Sequence, residues 1–132
     1  MNIIETKVLT FDITVYKVQV KPDGGNEFES IIYCHKPKYN KVEIADGKIV
    51  LGYNPSPEHQ YRTIGKGVFH FYTTTGTARA VVDGSCSLFS DSVFRVVECT
   101  LKRGSKVYVG DDDEIACRQA IFTEKVVYQR SK

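Results

Sequence analysis

The chain has 132 residues, of which 42% are hydrophobic and 26% charged, and a formal charge of +2. This balance excludes a generally disordered chain and a strongly basic nucleic-acid binder, and it suits one compact domain spanning residues 1–132. Val, Ile, Thr, Tyr and Phe supply 51 residues against 10 from Leu, Ala and Met, so composition predicts a sheet-dominated α+β fold.

In chain order, Ile3 to Phe11 is expected either as a short edge strand or as a segment that covers the sheet. Ile13 to Val20 alternates, with Ile13, Val15, Lys17 and Gln19 on one side and Thr14, Tyr16, Val18 and Val20 on the other. The second side is the expected core face, and the first is expected to meet solvent. Pro22-Asp23-Gly24-Gly25-Asn26 breaks the run and lets Phe28 to Cys34 return as a neighbouring strand. Asp46-Gly47 separates Val42-Glu43-Ile44 from Lys48-Ile49-Val50-Leu51, a hairpin-sized signal. Residues 52–67 hold Asn54-Pro55-Ser56-Pro57, His59 and several glycines, and are expected to form a long exposed loop.

Val68 to Tyr72 then predicts a buried strand, and the threonines after it supply a cap for one short helix near residues 75–83, stopped by Asp83-Gly84. Val93 to Leu101, Lys106 to Val109 and Ala120 to Tyr128 complete a dense antiparallel pattern. The expected architecture is a predominantly antiparallel sheet, curved or partly closed, with that single helix.

No apolar run approaches the roughly 20 residues of a membrane helix. The stretch from Met1 through Glu5 and Lys7 lacks the basic-then-apolar order of a secretory signal, so a cytoplasmic location is expected. Cys34, Cys86, Cys99 and Cys117 are widely spaced and form no Cys-x-x-Cys pair. They are expected as free, mostly buried thiols, with no metal site and no cofactor. Cys86, between two serines, lacks an activating partner fixed by spacing. The acidic run Asp111-Asp112-Asp113-Glu114 crowds its carboxylates together, which fits a solvated turn better than a calcium loop.

The candidate chemistry centres on His70, which interrupts an otherwise apolar strand. If Phe69 and Phe71 enter the core, His70 and Tyr72 face solvent or a cleft. An imidazole that accepts a proton beside a phenol that donates one makes these two the candidate catalytic residues. The plainer alternative is a satisfied histidine on a sheet surface. Arg62, Gly65, Lys66 and Gly67 precede the strand and form a candidate anion-binding group, Arg62 as a planar fork and Lys66 as a point charge. Flexible-loop glycines are the alternative there, because Gly-x-Gly lacks the rest of a dinucleotide or phosphate-loop motif.

Lys66 to Tyr72 resembles the central strand of RNA-recognition domains, but Val68 stands at the first expected aromatic position and nucleic acid is disfavoured as a partner. Arg103 to Gly110 followed by Glu114-Ile115-Ala116, and Gly67 to Phe71 followed by Thr77-Ala78, resemble short segments of small uncharacterised bacterial and phage proteins. That resemblance implies no function. Two expectations follow. One is an accessory or binding domain that contacts protein through a sheet face or the 52–67 region. The other is an enzyme or sensor acting on a phosphate-bearing or nucleotide-like ligand, held by Arg62 or Lys66 and served by His70 or Tyr72.

Overall fold

β-Branched and aromatic residues, alternating with polar ones, build most of the chain as extended segments. The computed structural model describes residues 1–31, 34–55, 60–88 and 91–131. Its elements run β1 (Asn2–Val8), β2 (Ile13–Lys21), β3 (Glu29–Ser30), β4 (Val42–Ile44), β5 (Leu51–Pro55), β6 (Gln60–Ile64) and β7 (Phe69–Tyr72). Helix α1 (Thr75–Leu88) follows, then β8 (Val93–Leu101), β9 (Lys106–Gly110), β10 (Glu114–Cys117) and β11 (Gln119–Ser131). One antiparallel sheet is ordered β4-β11-β8-β2-β7-β10-β9-β1-β6-β5, with β3 paired to β2 outside that path. The fold is therefore α+β, as composition predicts. No helix among the described residues is long and apolar enough to cross a membrane.

The sheet is open, since its end strands β4 and β5 do not pair with each other, yet it is not flat. Laid flat, ten strands at about 4.8 Å spacing would hold those ends roughly 43 Å apart. Residues 45–50, which join them, reach at most about 25 Å. The aromatic core shows the same curl. Phe122 on β11 and Phe69 and Phe71 on β7 lie three strand spacings apart along the sheet, and their ring centroids are only 5.0 and 5.7 Å apart. The inner face thus encloses Val15, Phe71, Val97, Cys99, Leu101, Val107 and Phe122. On the other face, α1 lays Ala78, Val82 and Cys86, one stripe at four-residue spacing, against Val18, Phe94 and Val96.

Several expectations change. Helix α1 begins where predicted, with the Thr77 N–H donating to Thr74 Oγ1 at 3.2 Å, but it runs past Asp83-Gly84 to Leu88. The Asp83 carboxylate accepts from Tyr128 Oη at 2.7 Å and from Arg130 at 2.9 Å. Anchorage to β11 outweighs the turn preference of Asp-Gly. The hairpin expected around Asp46-Gly47 does not form, because β4 adds to β11 and β5 to β6. Gly47 still bends the chain, at φ 80°, within a strap that spans the two ends of the sheet.

Residues 52–67 are not one loop. They contain most of β5 and all of β6, paired from Leu51↔Ile64 to Pro55↔Gln60. Pro55 is tolerated because it closes an edge strand, where its missing N–H costs little. Residues 56–59, which carry Pro57 and His59, lie outside those described. Finally, the middle of β2 is buried on both sides, Val15, Lys17 and Gln19 on one and Val18 on the other, with Thr14 left exposed near its start. The curled sheet encloses the first side and α1 covers the second.

Candidate functional site

The polar residues of the interior collect where β2 and β7 part. These strands pair only at Tyr16↔Tyr72. Beyond that point β3 takes over the edge of β2 at Gln19 and Val20, and the edge of β7 is left facing a gap. Lys17 crosses it. Its Nζ donates to the His70 carbonyl at 2.6 Å and lies 5.5 Å from the centre of the Phe71 ring. The side chain satisfies a backbone acceptor that strand pairing no longer serves. Burial pulls the Lys17 ammonium down to about 8.

Lys17, Ser30 and His70 line two cavities. The larger, of about 750 Å³, lies between β7 and the 45–50 strap, and its walls include His35, Asp46, Gly47, Lys48, Val50, Lys66, Gly67, Val68 and Phe69. The smaller, of about 150 Å³, is bounded also by Ile64, Gly65, Phe71, Tyr72 and Glu114. Arg118 fixes the strap against β7, donating to the carbonyls of Gly47 and Gly67. Gly67, at φ 84°, is required here: a Cβ would stand 2.6 Å from the Lys48 carbonyl oxygen.

Charge in the larger cleft is one-sided. Lys17, Lys48 and Lys66 face it as cations against Asp46, the single carboxylate among the described lining residues, and His35 and His70 add two imidazoles. His35 is hydrogen-bonded through Nε2 to Glu43 and sits 4.8 Å from the Phe69 ring. His70 Nε2 lies 2.7 Å from the Gly65 carbonyl. A carbonyl only accepts, so the imidazole proton resides on Nε2 and Nδ1 is the basic nitrogen. Burial lowers the pKa of His70 and keeps it neutral. Tyr72 is shifted up by burial and by the Glu114 carboxylate, and Glu114 is itself raised by burial. The phenol accordingly holds its proton.

Phe69 and Phe71 turn into the core at 7% and 2% exposure, while His70 is half-buried between the cavities. His70 meets Lys66 and Gly67 in the larger cavity and Gly65 and Tyr72 in the smaller. Arg62 is exposed on β6 opposite Tyr53 and lines neither. Lys17, Ser30 and Lys48 escaped the sequence reading. A signal for Lys17 was present, since Val15, Tyr16 and Val18 make both faces of its strand apolar. The four cysteines are unpaired and only Cys34 is exposed. Cys86 is buried on the sheet-facing side of α1 with its Sγ toward the Arg130 carbonyl at 3.7 Å. The acidic run turns between β9 and β10, where Asp113 accepts from Thr77 Oγ1 at 2.8 Å and so steadies the start of α1. Among the described residues no three His, Cys, Asp or Glu side chains gather as a metal site would require.

Compared with protein-family models, curated proteins and solved structures, the chain finds no match.

Proposed function

We propose that the chain is a binding domain for a small anionic ligand, phosphate-bearing or nucleotide-like, taken into the cleft between β7 and the 45–50 strap. The observation that carries this reading is the gathering of three lysines against one carboxylate, with two imidazoles beside them, among the described residues lining a cleft of about 750 Å³, a size suited to a small molecule. In a partly desolvated site each cation acts with less screening than on an open surface. Lys48 and Lys66 at the mouth are the anion contacts, and His70 is the group placed to exchange a proton with the bound molecule.

Calorimetric titration with adenosine monophosphate, pyridoxamine 5′-phosphate and neutral adenosine tests the proposal. Binding that needs the phosphate, and that Lys48→Ala and Lys66→Ala each weaken about three- to tenfold, supports it. No response to either phosphate, or an equal response to adenosine, sinks it.

A second reading has its own support. Edge strand β5 exposes Leu51 and Tyr53 at 41% and 57%, next to Val50 at 68%, and exposed apolar groups on an unpaired edge suit contact with another protein. Solution mass measured across concentration, on the wild type and on Leu51→Lys with Tyr53→Lys, tests it for self-association. A monomer throughout removes that form of it. We place the protein in a reducing, cytoplasmic compartment on the ground of its unpaired thiols.

A further inference from the structure

We infer that Lys17 is a reactive amine, and that the anion taken by the cleft carries an aldehyde or ketone with which Lys17 forms an imine. The inference rests on the anion-cleft reading and adds the chemistry of the bound molecule. Its basis is placement. Lys17 stands at the inner end of the site, in the walls of both cavities, whereas Lys48 and Lys66 occupy the exposed mouth. A ligand whose anionic group is held at the mouth would direct its other end inward, toward the one lysine that is buried. Among the described residues the Nζ has one protein acceptor, the His70 carbonyl at 2.6 Å, and no carboxylate is paired with it. Nothing on the protein therefore locks the amine in an ion pair, and burial, by holding its pKa near 8, leaves a usable neutral fraction around neutral pH.

The step balances without a further reactant. Lys17 first gives up one ammonium proton, for which the neutral His70 imidazole in the same cavities is an available acceptor. The amine lone pair then attacks the carbonyl carbon, forming a C–N bond as the C=O π pair moves to oxygen. The two N–H protons of the amine pass to that oxygen, the C–O bond breaks to release water, and the nitrogen lone pair closes the C=N bond. No atom changes its net oxidation level, so neither oxidant nor reductant takes part.

The test uses the full chain with pyridoxal 5′-phosphate, an anionic aldehyde, and pyridoxamine 5′-phosphate, the same anion without the aldehyde. After borohydride reduction, peptide mapping is expected to find the adduct on Lys17 at about tenfold or more over Lys48 and Lys66, and pyridoxamine 5′-phosphate is expected to suppress it. Lys17→Arg, which keeps the charge, should bind pyridoxamine 5′-phosphate and lose the adduct. The wild-type peptide map stands alone if that variant fails to fold. Binding of pyridoxamine 5′-phosphate with label only at other lysines overturns the imine and spares the anion cleft. A Lys17 adduct that pyridoxamine 5′-phosphate does not suppress keeps the reactive amine and overturns the cleft as its source of selectivity. Absence of both binding and adduct overturns both.

Discussion

Strand β2 meets its two neighbours on opposite terms. Along β8 nine consecutive residues pair without a break, from Ile13↔Leu101 to Lys21↔Val93. Along β7 a single pair holds. On the zipped side even the polar groups satisfy one another: Arg95 donates from Nε to Gln19 Oε1 at 2.9 Å and from Nη2 to Tyr39 Oη at 3.0 Å, with its guanidinium 3.8 Å from the Phe28 ring centre. On the open side a lysine side chain replaces a backbone donor, and the unfilled space becomes two cavities. Pairing and burial reinforce each other, so a strand edge left unpaired inside a protein collects the polar side chains and room that a ligand needs.

The largest expected effect lies on the zipped side. Phe122 is fully buried and touches the rings of Phe69 and Phe71, so Phe122→Ala should cost about 3–5 kcal/mol in denaturant unfolding. A loss under about 1.5 kcal/mol would mean that the stability of the fold does not reside there. Gly67→Ala strikes the open side. It forces an L residue into a left-handed backbone and presses its Cβ on the strap at 2.6–2.7 Å, which should cost at least about 2 kcal/mol. Because it displaces the cleft wall, it should also reduce phosphate-dependent binding. Intact affinity in a folded Gly67→Ala protein would show that the strap is not part of the site.

Legibility in sequence did not follow that division. Alternation located β2, β8, β9 and the first part of β11, and the Phe69/Phe71 pair pointed inward as expected, because local period alone decides those features. What failed depended on distant pairing. Val42–Ile44 and Lys48–Leu51 look like a hairpin locally, and only their capture by β11 and β6 separates them. Lys17 and Gln19 look like solvent residues until the sheet curls over them, and no local rule states that curl. His70, Tyr72, Lys66, Gly65 and Gly67 fall together around the two cavities because they follow one another along β7 and the turn before it. Arg62 was grouped with them by nearness in sequence, and β6 carries it away from both cavities.

A smaller effect separates the two sides by pH. Lys17 titrates near 8 when folded, against its ordinary 10.5. Between those values the unfolded chain binds more protons, so stability rises with pH. From about pH 8 upward the buried thiols oppose this: Cys99 is pushed up to about 12 and Cys117 is also raised by burial, so the unfolded chain loses thiol protons that the folded one keeps. The contribution of Lys17, a gain of about 1 kcal/mol between pH 8 and 9, is therefore read as the difference between the pH curves of the wild type and Lys17→Met. Lys17→Met should remove that rise and leave the zipped side unaltered. His70, with its pKa lowered by burial, acts at the other end: its contribution is complete above about 6.5 and is lost as pH falls through its folded value. Parallel wild-type and Lys17→Met curves from pH 8 to 9 would mean that Lys17 is solvated.

The smallest expected change in stability belongs to the residues proposed to matter most for binding. Lys48 and Lys66 are exposed at the cleft mouth, so Lys48→Ala and Lys66→Ala should each move unfolding free energy by less than about 0.5 kcal/mol. Removing one positive charge from a cluster of like sign relieves repulsion, so a slight stabilisation at low salt is the expected sign, fading as the Debye length shortens. The same substitutions are expected to weaken phosphate-dependent binding, which separates recognition from folding at a site where Lys17 and Gly67 join the two. Clear destabilisation by either would show that the strap is held by its lysines, and would move them from the open side of the comparison to the zipped one.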